Sequence, residues 1–507
     1  MKLYRLLERI EYNVACGTTD RRVTTVVHDS SKVIPDSVFV CIKGNKADGH
    51  DYVKQVIKQG ACVIVAERLV EVPDDVTLIL VTNTRIALAY MAAAYYDYPA
   101  EKLTTIGITG TKGKTTTSYM VRGMLEYAGV KTGLIGTIEV LIGDLVVEAY
   151  NTTPDSLLLQ QYLSEMVDAG MQAVVMEVSS QGLMLERVAG LNFDYGIFTN
   201  ISPDHIGPAE HKTYEEYREC KSKLFRQCKV GIVNEDCKEL PYILKNHSCS
   251  IETYGLHRTS LLYAYQPSLL QKPGYLGIQF YLGGAMNSNM ELWMPGLFNI
   301  YNALAAISVA RHFNMTNEMI REALANVKVK GRLELVEMSP DYTVMIDYAH
   351  NAVSLKSVLT TVRQYRPKRI VCMFGCGGNR AKARRYEMGK VAAMYADQIV
   401  VTSDNPRDED MEQIADDIVV GIEEDGKEYV RIINRHEAIR YCLEHAERGD
   451  VIILAGKGHE TYQEIKGIRY HMDEREILAQ LKSQMEEGNQ RLMYSDIFSV
   501  RKEERIV

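Results

Sequence analysis

Short apolar runs alternate with longer amphipathic stretches from about residue 100 onward. Brief apolar runs bounded by turn residues read as buried strands, and the longer periodic stretches between them as helices. Strands are predicted at LTTIGIT (103–109), MQAVVMEV (171–178), YGIFTNI (195–201), VMID (344–347), RIVCMF (369–374), QIVVTS (398–403) and VIILAG (451–456). This alternation predicts an α/β fold of parallel sheets covered by helices. Each run ends in a polar or glycine cluster, and open parallel sheets bind ligands outside the carboxyl ends of their strands. Chemistry is therefore expected at those clusters.

Before residue 100 the strands are shorter, as in SVFVCI (37–42) and ACVIVAE (61–67), and the segment closes with DYPAEKL. A second break falls at 330–336, where the helical NALAAISVARHF and EMIREALANV give way to KVKGRLELVE. Three domains are predicted, 1–100, 101–332 and 333–507, with a weakly periodic tail from about 485; a 507-residue chain has room for them.

Composition narrows the partners. Lys plus Arg number 58 against 66 Asp plus Glu, a net charge of −8, and no basic block gives a nucleic acid a footing. No apolar run approaches 18 residues, and the opening MKLYRLLERIEYN carries Arg5, Glu8, Arg9 and Glu11 where a signal peptide needs an apolar core. A cytoplasmic protein without membrane insertion is expected. The ten cysteines form no CxxC pair, which suits reduced, packed thiols.

GITGTKGKTTTSYMVRGMLEYAGV reads strand, glycine-rich loop, helix, with Gly110, Thr111, Lys112, Gly113, Lys114, Thr115 and Thr116 at the junction. Glycines let backbone N–H groups approach phosphate oxygens, a helix start adds positive potential, Lys114 adds a full charge, and a threonine hydroxyl can ligate magnesium. An ATP site is predicted, although the first glycine of the strict GxxxxGK[ST] spacing is displaced by Ile108. Glu177 ends a strand at the same sheet mouth, where a carboxylate suits a hard cation or simply caps the neighbouring backbone. His205 follows the next strand in FTNISPDH, as a metal or phosphate ligand or as a structural histidine. Lys221 shares a helix face with Tyr217 and Leu224. Facing inward it needs a partner or a chemical change; facing outward it is an ordinary surface lysine.

Taken in order, GTKGKTT, NTTPD (151–155), MEVSSQGL (176–183), RVAG (187–190), FTNISPDH (198–205), CKSKLF (220–225), GLFNIYNALAA (296–306), GRLE (331–334), DYAHN (347–351), GCGGNR (375–380), SDNPR (403–407) and AGKGHE (455–460) resemble the Mur ligase family. DSSKVIPDSVFVCIKGNKADGHDYV (29–53) resembles its uridine-binding domain. The resemblance implies a small α/β uridine-binding domain, a central P-loop parallel-sheet ATPase domain and a C-terminal Rossmann-like domain. It also implies a monomeric, ATP-dependent, ADP-forming amide ligase of peptidoglycan precursor synthesis, with magnesium as cofactor. By the same resemblance Gly110 to Thr116 hold the ATP phosphates, and Asn299, Asn302, Arg332 and Asp347 serve the rest of the nucleotide. Lys114, Glu177, His205 and Lys221 are the implied catalytic set. Thr115, Glu177, His205 and a carbamate on Lys221 are the implied magnesium ligands, and Ser30, Thr152, Thr153, Ser180 and Arg187 meet the UDP-substrate.

SDNPR and AGKGHE resemble the family's diaminopimelate-selecting version, which implies Arg385, Asp404, Asn405, Arg407, Gly456 and Glu460 around the incoming amino acid. A zwitterionic distal terminus needs a cation for its carboxylate and an anion for its ammonium, and Arg407 with Glu460 supply both. The implied substrates are meso-diaminopimelate and UDP-N-acetylmuramoyl-L-alanyl-D-glutamate. The competing readings are a ligase for L-lysine or another acceptor, and a non-catalytic paralogue that binds the nucleotide-peptide. Lys112, Gln181, Ser31 and the IGPAEH segment depart from the family pattern, and His211 stays unassigned.

Overall fold

The computed structural model describes residues 1–44, 47–207 and 210–486. The weakly periodic tail lies, but for its first two residues, outside them. Two compact units emerge: Met1–Tyr265 with Tyr281–Met290 and Ile300–Leu324, and Gln266–Phe280 with Glu291–Asn299 and Ala325–Val507. The joint expected at 332 therefore falls inside the second unit. Leu276 explains this, being fully buried in one core with Leu333, Met345 and Ile453.

In the first unit a five-stranded sheet runs in the order Asn13–Cys16, Thr77–Leu80, Ala61–Ala66, Ser37–Val40, Val26–Val27, parallel except at the first pairing. A larger sheet has a parallel centre in the order Ser250–Gly255, Cys228–Asn234, Phe193–Phe198, Thr104–Thr109, Ala173–Glu177, Thr132–Ile135. Of these, Thr104–Thr109, Ala173–Glu177 and Thr132–Ile135 are almost wholly buried, as continuous apolar runs covered on both faces must be, while Ser250–Gly255 is buried only at Tyr254 and Gly255. In this sheet the predicted parallel pairing holds through the centre and on to Leu262–Lys272. At one edge Glu139–Ile142 and Leu145–Glu148 pair antiparallel across a two-residue turn, Gly143–Asp144. At the other the sheet continues into Leu262–Lys272, Tyr275–Gly284 and Ser288–Leu292.

Register places the chemistry. Glu177 lies opposite Ile108, and Phe198 opposite Thr109, so three adjacent strands end level with one another. The second unit repeats the arrangement in a sheet ordered Glu334–Val336, Thr343–Asp347, Val451–Ala455, Ile370–Phe374, Gln398–Val401, Val430–Arg431. Asp347 and Phe374 both lie opposite Ala455, and Phe374 lies opposite Val401. The loops DYAH, GKGHE, GCGGNR and TSDNPR therefore leave one end of the sheet together.

Candidate active site

The glycine-rich loop turns from Thr109 into the helix Lys114–Tyr127, whose buried face is Met120, Val121, Met124 and Leu125. Gly110 has φ +150°, and a Cβ there would stand 2.0 Å from Thr199 Oγ1, so only glycine fits. The next strand's end holds the loop. Thr111 N–H donates to the Asn200 carbonyl at 2.9 Å, Lys112 N–H to Asn200 Oδ1 at 3.0 Å, and Thr199 Oγ1 to the Lys112 carbonyl at 2.7 Å. Gly113, at φ +85°, caps the helix with no side-chain acceptor over the first N–H groups. An uncapped helix start beside Lys114 is an anion site. Lys114 Nζ donates to the Gly110 and Thr111 carbonyls at 2.9 and 3.1 Å. Asn302 Oδ1 accepts from Thr117 Oγ1 at 3.3 Å, and Thr116 is buried in the same turn.

Glu177 is fully buried at its strand end. Oε2 accepts from Thr115 Oγ1 at 3.1 Å and Thr137 Oγ1 at 3.0 Å, and Oε1 from Thr137 N–H at 2.9 Å. Among the described residues no group of three His, Cys, Asp or Glu side chains stands ready for a metal. Magnesium suits this donor set, since it commonly takes one carboxylate and hydroxyls and completes its shell with phosphate oxygens and water. Thr137 had no sequence signal, because it lies on an antiparallel turn far from any motif.

Tyr217, Lys221 and Leu224 are all buried, so of the two readings of that helix face the inward one holds. Lys221 Nζ donates to the Gly110 carbonyl at 2.8 Å and lies 4.5 Å from the Tyr217 ring centre. Burial, with Lys114 adding to it, pushes its ammonium well below the usual lysine range. His205 has φ +55° and is half exposed, its Nδ1 2.8 Å from Glu210 Oε1. His211, by contrast, is fully buried against Tyr217, with neither ring nitrogen hydrogen-bonded. Burial holds it neutral, lowering its pKa. The sequence could name the helix but not which histidine would be enclosed.

The UDP-substrate candidates lie in different surroundings. Thr152 Oγ1 is 3.0 Å from Thr137 Oγ1, and Thr153 Oγ1 donates to the Glu177 carbonyl at 2.9 Å, so both belong to the packing around Glu177. Arg187 donates to the Thr153 carbonyl at 2.7 Å and lines a cavity of about 160 Å³ with His28, Ile42, Arg85, Leu88, Asp155, Ser156 and Leu185. Burial lowers the pKa of His28, Arg85 and Arg187 alike, opposed at His28 and Arg187 by the Asp155 carboxylate on the same wall. Ser30 begins a short 3-10 turn capped by Asp29, and Ser180 is buried at the start of the helix Ser180–Met184. His28 and Arg85 were not anticipated, since neither belongs to a motif.

In the second unit Asp347 Oδ2 accepts from Leu333 N–H at 2.8 Å. Burial raises its carboxyl pKa, opposed by Arg332, whose guanidinium lies 5.1 Å from the Tyr348 ring centre. Asn299 donates to the Pro295 carbonyl at 2.8 Å. Around the DNPR and GKGHE loops, Asn405 Nδ2 donates to Glu460 Oε2 at 2.8 Å, and Lys457 Nζ to Asn405 Oδ1 at 2.8 Å and Glu460 Oε2 at 2.7 Å. Arg407, at φ +52°, donates to the Gly378 carbonyl at 2.7 Å and pairs with Glu464 at 3.4 Å. Asp404 Oδ1 caps Asn405 N–H at 2.6 Å, and a Cβ on Gly456 would stand 2.6 Å from Asp404 Oδ2. Arg385 stands apart. Its buried guanidinium is taken up by Glu409 at 2.7 Å and Asp417 at 2.8 Å. Lys457 was missed although it sits inside AGKGHE, because only contact reveals that it is fully enclosed.

Sequence profiles of the Mur ligase family match three stretches: its catalytic domain at 22–96, its middle domain at 108–310 and its glutamate ligase domain at 331–458. A diaminopimelate ligase of Caldanaerobacter subterraneus subsp. tengcongensis is 42% identical over 488 residues, 96% of this chain and all of that one. The chain belongs to the Mur ligase family. A Mur ligase of Bacillus cereus with the same name is 41% identical, covering 94% of this chain and 97% of its own. A solved UDP-N-acetylmuramoyl-L-alanyl-D-glutamate–2,6-diaminopimelate ligase superposes with TM-score 0.72 at 27% identity, over 96% of this chain and 99% of that one. The Mur ligase fold extends to a MurF ligase of Thermotoga maritima in complex with ADP, at TM-score 0.55 and 18% identity over 91% and 98% of the two chains.

Proposed function

We propose that this Mur ligase joins meso-2,6-diaminopimelate to the D-glutamyl carboxylate of UDP-N-acetylmuramoyl-L-alanyl-D-glutamate, with ATP cleaved to ADP and phosphate. The observation that carries the reading is the pair of acceptor loops: Arg407, beside Glu464, and Glu460, held by Lys457 and Asn405, bring a cation and an anion to the same end of one sheet. A zwitterionic side-chain terminus offers a carboxylate to Arg407, in exchange for Glu464, and an ammonium to Glu460, whereas lysine offers only the ammonium.

The reaction transfers the γ-phosphoryl group to the substrate carboxylate, after which the acceptor amine attacks the acyl phosphate and phosphate leaves. In this reading the Gly110–Thr116 backbone and Lys114 hold the phosphates, with Lys114 exchanging loop carbonyls for phosphate oxygens. Thr115, Thr137 and Glu177 would hold magnesium, which when bound neutralises charge on the transferring group. His205 and Lys221 would serve a second ion. Burial favours the uncharged Lys221 amine, the form that adds to carbon dioxide with loss of a proton, and the resulting carbamate would be an oxygen ligand. The guanidiniums of Arg85 and Arg187 on that cavity suit the diphosphate side of the UDP-substrate. Precursor synthesis of this kind belongs to the cytoplasm, and no helix among the described residues is long and apolar enough to cross a membrane.

The test is phosphate release from ATP with the UDP-dipeptide and, in parallel, meso-diaminopimelate, L-lysine or no amino acid. Turnover with diaminopimelate alone is expected. Turnover with lysine would overturn the acceptor argument, and silence with both would overturn the ligase reading.

A further inference from the structure

The helix start Asp473–Glu474–Arg475 lies outside every motif considered above, yet it touches two of them. Arg475 meets Glu334 as a fork, Nε to Oε1 at 3.0 Å and one terminal nitrogen to Oε2 at 2.5 Å. The same nitrogen donates to the Gly458 carbonyl at 2.9 Å, and the other to Asp473 Oδ1 at 3.1 Å. Glu334 Oε2 in turn accepts from Gly331 N–H at 2.7 Å. Gly331 has φ +63°, and a Cβ there would stand 2.4 Å from the backbone of Gly458 and His459. Its carbonyl accepts from Tyr348 N–H at 2.9 Å, beside the Leu333–Asp347 bond.

These contacts close a ring. GRLE and the Asp347 loop form one side, the GKGHE loop forms the other, and Arg475 bonds both. A guanidinium fork on a carboxylate fixes orientation as well as distance, which a single point charge does not.

We propose that Arg475 is a positioning residue for the acceptor amino acid. Through Glu334 and the Gly458 carbonyl it sets the Lys457–Glu460 loop against the Arg332–Asp347 segment, so that the acceptor amine and the nucleotide-side groups keep one spacing. The inference rests on the ligase reading above. Small displacements of a reacting group are costly, about a hundredfold for ~1 Å.

The experiment is steady-state kinetics of the full chain, each of the three substrates varied in turn, for Arg475→Gln, Arg475→Lys, Glu334→Gln and the double glutamine variant. For Arg475→Gln, kcat/KM for diaminopimelate is expected to fall about tenfold to a hundredfold, with KM for the UDP-dipeptide moving less than about twofold. Glu334→Gln does the same, the double variant is no worse than either single one, and Arg475→Lys falls between because it restores the charge without the fork. Equal rises in KM for all three substrates, or losses that multiply in the double variant, would overturn the proposal. If Arg475→Gln does not fold, Glu334→Gln and Arg475→Lys decide by the same criteria. Wild-type silence with diaminopimelate overturns the ligase reading and this inference together; wild-type turnover with unchanged diaminopimelate kinetics in the variants overturns this inference alone.

Discussion

Replacing Arg435 by methionine tests how the acceptor loops are held from beneath. Arg435 and Glu474 are both buried, and the guanidinium bonds Glu474 Oε1 through Nε at 2.9 Å and a terminal nitrogen at 2.8 Å. It also donates to the Ser403 and Ala455 carbonyls, each at 2.9 Å, the positions from which the DNPR and GKGHE loops depart. Methionine fills similar space but leaves a buried carboxylate and two carbonyls unpaired, which costs about 3–5 kcal/mol. For a unit of this size 1 kcal/mol moves the melting temperature by about 2–4 °C, so a fall on the order of 10 °C is expected in one transition of a calorimetric scan. Burial already raises the Glu474 carboxyl, and Arg435 opposes that rise. Without Arg435 the folded pKa climbs further above the unfolded value of about 4.3. The sign follows: the variant's stability from this site is full below the unfolded pKa and is lost as pH rises through the folded one. Its deficit relative to wild type should therefore be larger at pH 7.5 than at pH 5. Arg435→Met with Glu474→Met should recover most of the loss. Equal melting of the single and double variants, or a deficit independent of pH, would refute the reasoning.

Other outcomes are equally specific. Lys221→Ala should lose nearly all turnover and regain part of it with an added short-chain carboxylic acid, checked by phosphate release; full activity without rescue would remove Lys221 from the site. Arg407→Ala should raise KM for diaminopimelate about tenfold or more while sparing UDP-dipeptide binding by calorimetry, since each charge-assisted contact contributes about 1.5–3 kcal/mol. Gly110→Ala must strain a backbone at φ +150° and displace Thr199, so ADP binding and melting temperature should both fall. Burial, helped by Arg332 and Arg475, lowers the His459 pKa to about 3. Between pH 6.5 and that value the unfolded chain takes up a proton the folded chain refuses, so stability falls with falling pH by up to about 1.4 kcal/mol per unit. His459→Gln should flatten that slope in melts recorded from pH 7 to 5.

Much of this was legible along the chain because buried parallel strands are written as unbroken apolar runs. Ile106 and Ile108, Val174 and Val175, and Ile452 and Ile453 each announce a strand whose end carries a loop of polar residues. The phosphate loop was legible because its glycines and Lys114 are adjacent. Contacts between distant segments were not. Nothing in CKSKLF says that Lys221 reaches the Gly110 carbonyl, and nothing in the sequence separates exposed His205 from enclosed His211. Arg385 looked available to a ligand until Glu409 and Asp417 were found on it. The Leu262–Gly284 ribbon was overlooked because polar residues and Pro267 interrupt its apolar pattern.

The interleaving of the two units bears on how the chain comes off the ribosome. Leu276 is synthesised with the first unit, but its core partners Cys372, Phe374 and Ile453 arrive much later. At about 5–20 residues per second, the stretch from Leu276 to Ile453 takes roughly 9–35 s to emerge. For that interval the ribbon presents an apolar surface with nothing to cover it, so chaperone capture and nicking by proteases should concentrate near 266–280 in stalled nascent chains. The same threading makes a cut at residue 332 a poor way to prepare either half, because one half would keep the strand segment that the other needs.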